Sequence, residues 1–123
     1  MPQLQGLIKA ILYVQDMDTQ VRFYRDVLGL PIKFPQGLAD YSSEFWVELD
    51  TGQCSLVLHG GGQQRLGADT PKHAFGVDDL DAMRELLLQR GAKMGEIRSP
   101  APGVRVCDGV DPEGNPFSID WHG

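Results

Sequence analysis

KAILYVQDMDTQVRFYRDVLG, residues 9–29, and KHAFGVDDLDAMRELLLQRG, residues 72–91, follow one pattern twice, and that pattern decides the fold. Sliding the chain along itself by 63 positions lays Lys9 on Lys72, Leu12 on Phe75, Val14 on Val77, Asp16 on Asp79, Met17 on Leu80 and Asp18 on Asp81. One deletion then brings Gly29 opposite Gly91. Two copies are too few for a solenoid. The expectation is one pseudo-symmetric domain over residues 1–123, with module one at about 6–59, a linker at about 60–70 and module two at about 71–123.

Each copy has local physics behind it. Ile8 to Val14 is rich in large apolar and β-branched residues and reads as a buried strand. Asp16 or Asp18 can accept from the free N–H groups that open the next helix. Met17, Val21, Tyr24 and Leu28 recur at helical spacing and form one apolar face. Gly29 suits the left-handed residue that ends the helix, and Pro31 prevents its resumption. In the second copy Ala74 to Val77 is the strand, Asp79 or Asp81 the cap, and Leu80, Met83 and Leu87 the apolar face, with Gly91 the stop.

Strands follow both helices. Phe45, Val47 and Leu49 alternate with Trp46 and Glu48; Asp50-Thr51-Gly52 reads as a turn, and Cys54 to Leu58 as the returning strand. In the second copy Val104 to Cys107 leads to the turn Asp111-Pro112-Glu113-Gly114-Asn115, after which Phe117, Ile119 and Trp121 alternate with Ser118 and Asp120. The glycines of Gly60-Gly61-Gly62 read as linker, because they do not sit between a strand and a helix as a phosphate-cradling loop does.

Composition narrows the function. A hydrophobic share of 41% and a charged share of 23% describe a globular chain, and 123 residues suffice for one core. The net charge of −6 argues against nucleic acid, whose phosphates require clustered Lys and Arg. No apolar stretch approaches the roughly 20 residues that cross a bilayer. Met1 to Ala10 lacks the basic and apolar regions of a signal peptide. Cys54 and Cys107 are too few for a disulfide scaffold and read as reduced thiols, so the expected location is cytoplasmic, with no membrane partner.

Phe23-Tyr24 with Leu28-Gly29-Leu30, then Phe75-Gly76-Val77-Asp78-Asp79-Leu80-Asp81, then Asp111-Pro112-Glu113-Gly114-Asn115, in this order and spacing, resemble the vicinal oxygen chelate superfamily. Its members include glyoxalase I, extradiol dioxygenases, and fosfomycin- and bleomycin-resistance proteins. The resemblance covers nearly the whole chain. It implies an α+β fold of two βαβββ modules, whose curved mixed sheets form a cavity, and a homodimer binding a small molecule.

Side chains two apart on a strand share a face. On that ground Leu56, Leu58, Phe117, Ile119 and Trp121 are expected to pack on the helices, and Val57, His59, Ser118 and Asp120, with Trp46 and Glu48, to face the cavity. Tyr13 shares the parity of Lys9. Metal-using relatives carry His, Gln or Glu at four cavity positions, and the resemblance places these on Lys9, Val57, Lys72 and Ser118. A protonated lysine has no lone pair to give, Val has no donor, and Ser alone is a poor ligand. No metal and no other cofactor are therefore expected, and the candidate ligand-binding residues are Lys9, Tyr13, Trp46, Glu48, Val57, His59, Lys72, Ser118 and Asp120.

Catalytic residues are left unassigned. Lys9 and Lys72 are expected to meet ligand oxygens, Trp46 to stack, and Glu48 and Asp120 to orient the lysines or the ligand. Two further readings stand beside this one. A rearranged site of His59, Glu48 and Asp120 would make a metal-dependent lyase, isomerase or dioxygenase. Tyr13, Tyr41, Glu44, Trp46 and Glu48 could line an acidic aromatic groove for a cationic drug.

Overall fold

The structure, a computed structural model, describes residues 3, 7–63 and 71–123. Of the expected linker, residues 64–70 lie outside these. The chain divides into two compact units, Met1–Gln64 and Arg65–Gly123. Each holds one helix and a four-stranded mixed sheet, so the protein is α+β with two βαβββ modules.

In the first unit β1 (Lys9–Tyr13) precedes α1 (Met17–Arg22), and β2 (Ile32–Phe34), β3 (Trp46–Asp50) and β4 (Ser55–His59) follow. The sheet order is β1-β4-β3-β2, with β1 parallel to β4 and the other pairs antiparallel. Asp16 caps the helix, its Oδ1 accepting from the Thr19 N–H at 3.2 Å. Past Arg22 the helix widens into a π-helical stretch, Phe23–Val27, in which the Leu28 N–H donates to the Phe23 carbonyl. Phe23 and the following Tyr24 are both buried there, their rings edge to face at 5.2 Å. Gly29, at φ +80°, ends the helix in the left-handed region. Met17, Val21 and Tyr24 join Val47, Leu49, Leu56 and Leu58 in the core, as the periodicity predicts.

The second unit repeats the plan. β5 (His73–Gly76) precedes α2 (Leu80–Gln89), then β6 (Lys93–Ala101), β7 (Val104–Val110) and β8 (Pro116–His122), in the order β5-β8-β7-β6. Asp79 caps α2 through its Oδ1 and the Ala82 N–H, 3.0 Å apart, while Leu80 and Leu87 are buried. Replacing Asp79 with Ala should lower stability by about 1 kcal/mol, read as an earlier urea midpoint. Among the described residues no helix is long and apolar enough to cross a membrane.

Three side chains depart from the sequence expectation. Phe45, which the alternation groups with the apolar Val47 and Leu49, lies just before β3 and is 62% exposed. Tyr41, offered as a groove aromatic, is 2% exposed, with its hydroxyl donating to the Pro35 carbonyl. Trp121, expected on the helix layer, is only half-buried near the end of β8. The glycines at 60–62 do more than link. The Gly60 N–H donates to the Phe45 carbonyl and the Gly62 N–H to the Val14 carbonyl, which pins this stretch onto the first unit.

Candidate functional site

Strand register sorts the side chains of each sheet, because directly paired residues point to the same side. In the first unit Ala10, Leu12, Val47, Leu49, Leu56 and Leu58 share the helix-bearing side. The other side carries three rows: Lys9, Ser55 and Asp50; then Ile11, Val57 and Glu48; then Tyr13, His59 and Trp46. All six candidate residues of this unit therefore stand on one helix-free face.

The third row is aromatic. The His59 ring lies 4.8 Å from Tyr13, 5.0 Å from Phe45 and 5.7 Å from Trp46, measured between centroids. His59 Nδ1 is 2.7 Å from the Gly60 carbonyl oxygen. A carbonyl only accepts, so Nδ1 carries the proton, and in the neutral ring the lone pair is on Nε2. A Cβ on Gly60 would stand 2.9 Å from the Phe45 ring, so the glycine lets that ring lie against the backbone. In the row below, the Glu48 carboxylate accepts from the Trp46 indole N–H at 3.0 Å. Val57 is fully buried. The first row is polar, and Lys33 of β2 reaches it, its Nζ donating to Ser55 Oγ at 3.1 Å.

In the second unit Phe75, Cys107, Phe117 and Ile119 share the helix-bearing side, and His73 pairs in register with Phe117. Burial pushes the His73 imidazole below its ordinary value, partly offset by the charge of Asp111. Burial likewise raises the Cys107 thiol, whose Sγ donates to the Gly95 carbonyl. The opposite side carries Ser118, Asp120, Val106 and Asp108. There the Ser118 hydroxyl donates to Asp120 at 2.6 Å. Lys72 pairs with neither of the carboxylates expected for it. Its Nζ stands 3.0 Å from Asp108 Oδ1, and Arg98 holds the other oxygen, also at 3.0 Å.

Asp108 thus ties two cations to the centre of this face. Burial alone would raise its carboxyl; the hydrogen bonds from Arg98 and Lys72, with their charges, outweigh that and hold it below the usual carboxylate range. A depressed folded value makes the contribution complete above the unfolded value of about 3.9, and it is lost as pH falls through the folded value. Both partners are well exposed, so replacement of Asp108 by Asn should cost less than about 1 kcal/mol at pH 7. Urea midpoints measured from pH 7 downward should show a shallower loss below about pH 4 in that variant.

The four positions on which the family resemblance places metal ligands are occupied here by Lys9, Val57, Lys72 and Ser118. Lys72 is engaged as an ammonium, Ser118 gives its proton to a carboxylate, Val57 has no donor, and Lys9 is an exposed lysine. Among the described residues no three of His, Cys, Asp and Glu gather closely enough to share an ion. Sequence reasoning missed Lys33, Phe45 and Asp108. The turn at Asp111–Asn115 carried the signal for Asp108, since it sets Val110 against Pro116 and hence Asp108 against Ser118.

Comparison with known proteins agrees with this architecture. Lactoylglutathione lyase from Agrobacterium tumefaciens superposes with a TM-score of 0.73 at 19% identity, over 96% of this chain and 94% of that one. TnmS3, an antibiotic binding protein from Streptomyces sp. CB03234, gives 0.73 at 21% over the whole of both chains. The fosfomycin resistance protein FosX from Mesorhizobium loti gives 0.72 at 18%, over 98% and 95%. At these identities the likeness is one of fold. No functionally curated protein matches the sequence significantly. The model of the glyoxalase-like domain matches residues 9–119, nearly the full length. The chain belongs to the glyoxalase-like domain family of the vicinal oxygen chelate superfamily.

Proposed function

We propose that this protein binds a small molecule without a divalent metal, on the helix-free faces of its sheets. Lys9, Tyr13, Trp46, Glu48, Val57 and His59 serve in the first unit, and Lys72, Ser118 and Asp120 in the second. One observation carries the reading. At a position where metal-using relatives carry a ligand, Lys72 is an ammonium bonded to Asp108, which Arg98 also holds. Fixed cations there attract oxyanions electrostatically and repel a divalent ion. The fold neighbour TnmS3 is an antibiotic binding protein, which supports binding as a use of this fold.

The same reading makes the protein a cytoplasmic homodimer, on its two free cysteines and on the family resemblance. Thermal melts with a panel of carboxylates, phosphates and cationic aromatics test the binding. A ligand at 100 times its Kd stabilises the folded state by about 2.7 kcal/mol. At least one class should raise Tm, and the rise should survive chelator. Unchanged melts across the whole panel would reject the proposal.

A further inference from the structure

We infer that the helix-free face of the first sheet is a two-ended site for an aromatic anion: the ring system against Tyr13, Phe45, Trp46 and His59, the anionic group on Lys9 and Lys33. The inference rests on the small-molecule reading above and names its ligand class. The aromatic end is open, with Tyr13 60% and Phe45 62% exposed, and both rings border the half-buried His59. Exposed aromatic faces clustered around one imidazole favour a planar partner, which buries apolar area there at little entropic cost. Among the described residues His59 Nε2 has no hydrogen-bond partner, so it can accept from an N–H or O–H on that ring.

The charge at the other end decides the ligand's sign. Each carboxylate on this face is held by a local N–H donor, Glu48 by the Trp46 indole and Asp50 by the Gly52 backbone at 2.7 Å, and among the described residues neither reaches a lysine. Neither ammonium is matched by a carboxylate. Lys33 donates to the neutral Ser55 hydroxyl, and among the described residues Lys9 has no ion pair. An anion would give the two ammonium groups the direct charged partner that neither carboxylate provides, through charge-assisted hydrogen bonds. From Lys9 to Tyr13 is four residue steps, about 13 Å along the strand. The flexible lysine stems cover part of that gap, and Ile11 and Val57 lie between.

The test compares two fluorescent dyes that differ in one group, 1-anilinonaphthalene-8-sulfonate and its neutral parent N-phenyl-1-naphthylamine, titrated into the full chain at low salt. The sulfonate should bind roughly tenfold more tightly, the worth of about one charge-assisted hydrogen bond. That preference should shrink in 0.5 M salt and vanish in the Lys9→Ala, Lys33→Ala double variant, whose retained affinity for the neutral dye shows that it is folded. Phe45→Ala should weaken both dyes. A wild type that prefers neither dye, or a preference that survives loss of both lysines, would overturn the inference while leaving the small-molecule reading intact. If neither dye binds, the inference fails, and the thermal panel judges the broader reading separately.

Discussion

Asp111→Ala should lower the stability of the chain by about 3 kcal/mol, the largest loss expected from any single truncation of a polar side chain here. Asp111 is 3% exposed, yet its carboxylate is fully used. Oδ1 accepts from the backbone N–H groups of Glu113 at 2.9 Å and Asn115 at 2.8 Å, and Oδ2 from the Asn115 amide at 2.9 Å. The turn is closed again by its backbone, with the Asp111 N–H donating to the Asn115 carbonyl and the Gly114 N–H to the Asp111 carbonyl. Truncation removes the carboxylate that accepts from two donors of the buried Asn115, and losing the partner of a buried polar group costs about 1–3 kcal/mol. The urea midpoint should fall with the slope unchanged, and a loss below about 1 kcal/mol would show that water replaces the carboxylate. Asp111→Asn should fall between, since its oxygen can still accept from the two backbone N–H groups while its NH2 would face the Asn115 side-chain amide at the 2.9 Å contact.

Gly109→Ala should cost about 2 kcal/mol, and Gly109→Val more, for a steric reason. A Cβ at this position would stand 2.7 Å from the Met94 sulfur, 2.7 Å from Phe117 Cζ and 3.0 Å from the Lys93 carbonyl oxygen. Met94 is flexible and can yield. Phe117 is fully buried, and the Lys93 oxygen belongs to the neighbouring strand. The chain therefore has to move, or the ring has to leave its place in the core. A second change, Phe117→Leu, should recover part of the Gly109→Ala loss, because the two sites share one volume and their costs do not add. Purely additive losses in thermal melts would mean that the crowding lies elsewhere.

What the sequence made legible was the part governed by short-range rules. Asp16 and Asp79 cap their helices, Gly29 and Gly91 take positive φ, and Leu56, Leu58 and Phe117 enter the core, each for a reason contained within a few neighbouring residues. Two strands were harder to see. β2 is three residues long, between Pro31 and Pro35, and shows no alternation to detect. β6 carries Gly95 and Pro100, and its register slips between Met94 and Ile97 and again between Arg98 and Ala101, so no period survives.

The omissions at the candidate site follow from those strands. Lys33 acquires its role only once β2 lies beside β3, and Arg98 only once β6 lies beside β7. Asp108 was hidden by ending β7 at Cys107, when the strand runs to Val110. Phe45 obeys no alternation because it precedes its strand and folds its ring onto His59 instead. In each case the missing information was a cross-strand partner, which one stretch of sequence does not contain.

Binding without a divalent metal stands or falls on elemental analysis of the dialysed protein. Lys9, Val57, Lys72 and Ser118 in place of ligands predict no stoichiometric Ni, Zn, Mn or Fe, and thermal melts unmoved by adding those ions. One tightly held ion per chain would rule out metal-free binding. It would turn attention to His59 and Glu48 as ligands, and to an enzyme rather than a binding protein.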